Sequence, residues 1–202
     1  GPVGMSAMSF GALGENAISS ISYGLGKATG SWVHTGEGGL APYHTIGGGD
    51  VIMQIGSGIF GVRNEDGTFS WEKFQEKAEN PQLRCFEIKL AQGAKIRGGH
   101  VEGSKINEEI ASIRGVAPWK TVDSPNRHNQ FSDLPSLFDF IDEMRDVGGK
   151  PVGIKIVMGG ADSADELAKF MSETGRGPDY ITVDGSEGGS GATYQEMADT
   201  MG

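Results

Sequence analysis

One cysteine, Cys85, is all the chain has, which excludes an internal disulfide framework and any multi-cysteine zinc or iron–sulfur site made from these residues alone. No apolar run approaches the ~18 residues of a membrane-crossing helix, and no secretory leader is visible. A reducing cytoplasm is the default expectation. Positive charge is scarce: 17 Lys and Arg stand against 27 Asp and Glu, for a formal net charge of −10. Nonspecific binding to nucleic acid or to an anionic membrane needs a basic face, so neither partner is expected. The four histidines, His34, His44, His100 and His128, lack metal-ligand spacing such as HxxxH and read as loop residues or supports for other side chains. No metal site is expected. GxSxG and Walker A loops are missing, and no GxGxxG turn follows the first strand candidate.

Glycine, in contrast, is abundant: 34 of 202 residues, more than twice the usual share of ~7 %. The glycines cluster beside strand-like segments, where they serve tight turns or let backbone approach a ligand. Charge is also unevenly spread. Between Arg84 and Arg127 lie eight of the seventeen basic residues, against five acidic ones. A locally positive segment in an acidic chain favours a small anionic ligand over an anionic polymer.

Short apolar runs alternate with helical patterns, the mark of an α/β fold with parallel strands. Strand candidates are Pro2–Ala7, Ser31–Thr35, Val51–Gly56, Cys85–Ala91, Pro151–Met158 and Tyr180–Asp184. Between them, Leu13, Ala17, Ile18, Ile21 and Leu25 share one helix face, and a second helix is predicted from Ser70 to before Pro81. Helical spacing recurs at Ile106, Ile110 and Ile113 behind Ser104, and at Leu134, Leu137, Phe138, Ile141 and Met144 behind Ser132. Ser163 and Glu166 form an S-x-x-E capping box for a helix ending near Gly175. Six strands and five helices in βα order predict a (β/α)8 TIM barrel. The count is short by about two βα units, so residues 1–202 are expected to form one partial barrel domain.

In such a barrel the site lies at the C-terminal ends of the strands. Glycine-rich polar stretches follow nearly every strand candidate here: "SAMSFGA", "HTGEGG", "QIGSGIFG", "AQGAK", "KIVMGGA" and "DGSEGGSGA". Glu37 stands between glycines straight after a strand, where its carboxylate could bind a ligand or hold a neighbouring lysine. Lys89 and Lys155 sit inside apolar strands, and an unpaired ammonium in a core is costly. Each therefore needs a carboxylate, an anionic cofactor or a route to the rim.

Five phrases in this order, "SAMSFGAL", "HTGEGG", "IKLAQGAK", "SPNRH" and "DGSEGGSGA", resemble the FMN-binding central domain of the glutamate synthase family, nearest its single-domain FMN-binding members. The resemblance implies a barrel in which reduced FMN delivers a hydride to 2-iminoglutarate, formed from 2-oxoglutarate and ammonia. It implies that Ala7, Met8 and Ser9 face the flavin, that Gln54 and Lys155 contact it, and that Gly188 and Gly189 line its side of the site. Glu37 and Lys95 would be catalytic, and Gln92, Lys95 and Arg114 would hold the 2-oxoglutarate carboxylates. Family members usually read "GAKPGEGG" where this chain has Lys95 followed by Ile96, Arg97, Gly98, Gly99 and His100. The FMN phosphate site and any iron–sulfur cluster are expected only beyond these residues, so the isolated chain is expected to be inactive. An electron-donor protein or subunit is a further expected partner. Two alternatives accompany this reading: a barrel relative in another amino-group transfer, such as methylamine–glutamate N-methyltransferase, and a non-catalytic fragment or subunit.

Overall fold

The computed structural model describes residues 3–28, 30–93 and 99–185. In chain order the elements are α1 (Glu15–Lys27), β1 (Trp32–His34), α2 (Pro42–Thr45), β2 (Asp50–Ile55), α3 (Trp71–Ala78), β3 (Leu83–Lys89), β4 (His100–Val101), α4 (Glu108–Arg114), β5 (Val122–Asp123), α5 (Leu134–Gly148), β6 (Val152–Val157), α6 (Asp165–Thr174) and β7 (Ile181–Asp184). Five strands form one parallel sheet in the order β1-β2-β3-β6-β7, curled into a half-barrel with helices outside. The expected α/β architecture, an incomplete TIM barrel, is what the described residues build.

Period-2 alternation splits the sheet into two unlike faces. The outer face carries Val51, Met53, Ile55, Phe86, Ile88, Val152 and Ile154, all fully buried. Helices α3 and α5 cover it: Phe74 packs its ring 4.3 Å from that of Phe86, while Leu137, Phe138, Ile141 and Met144 supply the inner stripe of α5. The inner face is polar. Parallel register aligns Gln54 with Glu87, Lys89 with Lys155, Lys155 with Thr182 and Val157 with Asp184. The apolar outer face is what holds the sheet in register, and that register stacks the polar residues inside.

Helix punctuation follows the sequence with shifts of one or two residues. Ser70 caps α3, accepting the Lys73 amide. Asn107 rather than Ser104 caps α4, and Asp133 rather than Ser132 caps α5, because these side chains accept the N3 amide. The Ser163 box does not form; its Oγ accepts the Gly160 amide instead, and α6 starts without a side-chain cap. Helices α4, α5 and α6 each stop at a left-handed glycine, Gly115, Gly149 and Gly175.

Segment 2–7, expected as a strand, forms no strand in its described part. One bond, from the Met5 amide to the Trp32 carbonyl (3.0 Å), ties it to β1. Gly4 lies against the Trp32 indole, where a Cβ would come within 2.2 Å of the ring. The β4–β5 ribbon and the one-turn α2 were not anticipated; two-residue strands and a four-residue helix are too short to leave a periodic trace.

Candidate functional site

At the C-terminal ends of the strands the loops bring a set of polar side chains together, in three small networks. The first centres on Lys89. As the last residue of β3 it faces inward, and its ammonium donates to Glu37 Oε2 and to Gln92 Oε1 (2.8 Å). Both members of the ion pair are largely buried, with side chains 15 % and 19 % exposed. Glu37 is delivered by the TGEGG loop. Gly36 there has φ +62°, and a Cβ on it would fall 2.6 Å from the Ser9 amide nitrogen. Gly38 donates its amide to Ser9 Oγ (3.2 Å). Only glycines let this loop press onto residues 8–9.

The second network lies one layer deeper. Glu87 is 1 % exposed and accepts three hydrogen bonds: from Gln54 Nε2 (2.6 Å), Thr182 Oγ1 (2.6 Å) and His34 Nε2 (3.1 Å). The Gly36 amide donates to His34 Nδ1 (3.2 Å), so that nitrogen carries no proton and Nε2–H is the donor to Glu87. Burial pushes the Glu87 carboxyl up, but the bonds from His34, Thr182 and Gln54 outweigh it and hold the pKa below the ordinary glutamate value. Because Gln54 must turn its amide nitrogen to the carboxylate, its Oε1 is left buried and without a partner among the described residues. An orphaned buried acceptor costs about 1–3 kcal/mol, so this atom is one that a bound donor would satisfy.

In the third network, Lys155, also buried, pairs with Asp184 (3.3 Å), whose same carboxylate oxygen accepts the Gly93 amide (2.8 Å). Both strand lysines thus have the carboxylate that burial demanded. Asp184 also ties the start of the QGAK stretch to β7.

Arg114 comes from the end of α4, is 3 % exposed and donates to the Phe10 carbonyl (3.1 Å), with its guanidinium carbon 5.1 Å over the centre of the Phe60 ring. Burial lowers its pKa, opposed by the Glu37 charge. No carboxylate of the described residues lies within 4.0 Å of it, and its Nε has no partner. Arg114 and Gln92 share no hydrogen bond among the described residues. Met8 and Ser9 sit where they face the Glu37 loop, held by His44, whose Nε2–H donates to the Met8 carbonyl (3.1 Å) while Nδ1 accepts the Ala41 amide. Ala7, beside them, is half-buried. Lys95, Gly188 and Gly189 fall outside the described residues.

Sequence reasoning missed Glu87 and Asp184, since a carboxylate within or ending a strand resembles any exposed strand residue until the register is known. It also undervalued His128, whose Nε2–H donates to the Lys89 carbonyl (3.0 Å) while its ring stacks on Phe131. Cys85 is half-buried, and burial pushes its thiol up, as suits a core cysteine. Among the described residues no group of three or more His, Cys, Asp or Glu is arranged to hold a metal ion, and no helix is long and apolar enough to cross a membrane.

Lys155, paired with Asp184, the unpartnered Gln54 Oε1 and the glycines in close backbone contact at the strand ends are the groups that could hold a planar ring with an imide N–H, such as a flavin.

A family model described as the conserved region in glutamate synthase matches residues 1–202. The chain is 56 % identical over 202 residues to the glutamate synthase large subunit-like protein YerD of Bacillus subtilis, covering 100 % of this chain and 38 % of that protein. It is 31 % identical over 205 residues to the archaeal-type glutamate synthase (NADPH) of Thermotoga maritima, covering 100 % of this chain and 37 % of that protein. The glutamate synthase (NADH) of Schizosaccharomyces pombe is 32 % identical over 197 residues, 93 % of this chain and 8 % of the yeast protein. The chain therefore spans less than two-fifths of the length of these relatives.

Proposed function

Since the chain belongs to the glutamate synthase family, we propose that it acts as the synthase barrel of an FMN-dependent oxidoreductase that reduces 2-iminoglutarate, formed from 2-oxoglutarate and ammonia, to L-glutamate. The observation that carries this reading is the convergence of Glu37, Lys89 and Gln92 at the strand ends, directly above the Gln54–Glu87 layer.

The bound flavin would supply the hydride. Lys155 and Gln54 would hold its ring, with the backbone at Ala7, Met8 and Ser9 and the glycines Gly188 and Gly189 around it. Gln92, Lys95 and Arg114 would take the two carboxylates of 2-oxoglutarate; a dicarboxylate suits a point charge together with an arginine fork. Glu37, held by Lys89, would accept a proton from ammonia as the nitrogen attacks the ketone and return it to the former ketone oxygen, which leaves as water when the imine forms. Lys95 would balance charge at the reacting carbon. Concentrated positive charge in an acidic chain also draws the dianion inward.

The test uses the full-length protein. It is expected to carry FMN, seen as visible flavin absorption, and to form glutamate from 2-oxoglutarate, ammonium and a chemical reductant. N-methylglutamate and ammonium formed from L-glutamate and methylamine, without a reductant and in place of glutamate synthesis, would assign the N-methyl transfer instead, and absence of flavin would overturn the redox reading altogether.

A further inference from the structure

Glu87 touches neither the open mouth of the site nor any residue given a catalytic role, yet it is the most heavily bonded buried carboxylate among the described residues. Its three donors come from three different strands: His34 ends β1, Gln54 lies near the end of β2, and Thr182 lies in β7, beyond β6. Thr182 reaches Glu87 past Gly153, the β6 residue that pairs with Glu87 in the register. A Cβ there would meet the Tyr180 ring at 2.4 Å.

This arrangement decides which way Gln54 points. An amide can offer either a donor or an acceptor to a ligand. Here the carboxylate accepts the NH2 end, and Thr35 Oγ1 accepts the Gln54 backbone amide (3.1 Å). The carbonyl oxygen is what remains, unpartnered. His34 cannot take over the Gln54 amide hydrogens, since its Nδ1 is already engaged by the Gly36 amide and its Nε2–H is a donor.

We propose that Glu87 is a positioning residue for the cofactor: it locks Gln54 so that Oε1 is offered to the imide N–H of the flavin, selecting a ring that presents a donor there. This rests on the flavin reading given above. The pyrimidine edge of a flavin has one N–H between two carbonyls, so an amide turned the other way would meet a donor with a donor. Glu87 thereby acts on the cofactor through Gln54 without touching it.

A double-mutant cycle on FMN affinity of the full-length apoprotein tests this, with thermal unfolding measured alongside. Glu87→Leu is expected to raise the FMN Kd at least about tenfold, Gln54→Leu by a similar factor, and the pair by no more than either alone. Glu87→Gln, which keeps an acceptor of the same shape, is expected to restore binding to within a few-fold of the natural protein. Losses that multiply in the double variant would overturn the inference, since Glu87 would then be acting on the fold and not through Gln54. If Glu87→Leu does not fold, Thr182→Val takes its place: a severalfold loss that vanishes in the Gln54→Leu background supports the inference, and an equal loss in both backgrounds overturns it. A natural full-length protein that binds no FMN sinks the flavin reading and this inference together, whereas multiplying losses in a flavin-binding protein sink this inference alone.

Discussion

Lys89 sits in a strand that otherwise reads as core, and a buried ammonium survives there only because Glu37 and Gln92 meet it. Substituting Lys89→Met keeps the length and apolar stem but releases both partners. For the full-length protein we expect the KM for 2-oxoglutarate to rise at least about tenfold while the FMN Kd stays within about threefold. Equal losses in both would remove Lys89 from the substrate side. Buried imidazoles give a second residue-scale expectation. Burial lowers the pKa of His44, against the bonds to Met8 and Ala41, and burial likewise lowers that of His128. With folded-state values below the unfolded value of about 6.5, their stabilising contribution is present above that pH and lost as pH falls through the folded values. The Glu87 carboxyl is also depressed, so its contribution persists to lower pH and drains below about 4.3. Tm should therefore fall between neutral pH and about pH 5, and the slope should flatten in His44→Gln. A Tm independent of pH over that window would contradict neutral, buried imidazoles at His44 and His128.

Elements were legible in the sequence to the extent that their periodicity was long. The sheet strands from β1 to β7 lie within or beside the apolar runs that mark them, and α5 follows the stripe from Leu134 to Met144. The N-terminal segment was not legible, since Pro2–Ala7 has the composition of a strand yet its described part forms none and is tied to β1 by the Met5 amide bond to the Trp32 carbonyl. The candidate site divides similarly. Glu37, Gln92 and both strand lysines stand out as charge or amide among glycines, whereas Glu87 and Asp184 matter only through a register that joins distant strands. Gly153 in β6 is the position where that register is most exposed to test. Gly153→Ala would drive a methyl into the Tyr180 ring and strain its hydroxyl bond to the Phe86 carbonyl (3.0 Å). A loss of about 1–3 kcal/mol in chemical denaturation is expected, from overpacking alone. Asp133→Ala, removing the α5 cap, should cost about 1 kcal/mol. Unchanged midpoints would mean these contacts relax without strain.

At the scale of the whole molecule, the two faces of the half-barrel divide the work: an apolar outside that sets register, and a polar inside that the register assembles. The outer face continues onto β7 at Ile181 and Val183, which are 40 % and 57 % exposed although their sheet neighbours Ile154 and Ile156 are buried and half-buried. Segment 1–202 expressed alone should therefore bind a hydrophobic dye, and Ile181→Thr with Val183→Thr should reduce that signal. No change on substitution would place the dye elsewhere. On the inner face, the proposal is that the strand-end cluster above Glu87 handles both a flavin and a dicarboxylate. Its most direct test is an anaerobic half-reaction on the full-length protein, with its flavin reduced beforehand and the visible absorption followed. Addition of 2-oxoglutarate together with ammonium should reoxidise the flavin and yield glutamate in matching amount, while either alone should leave it reduced. Flavin that stays reduced with both present, or a protein that holds no flavin to reduce, would contradict it.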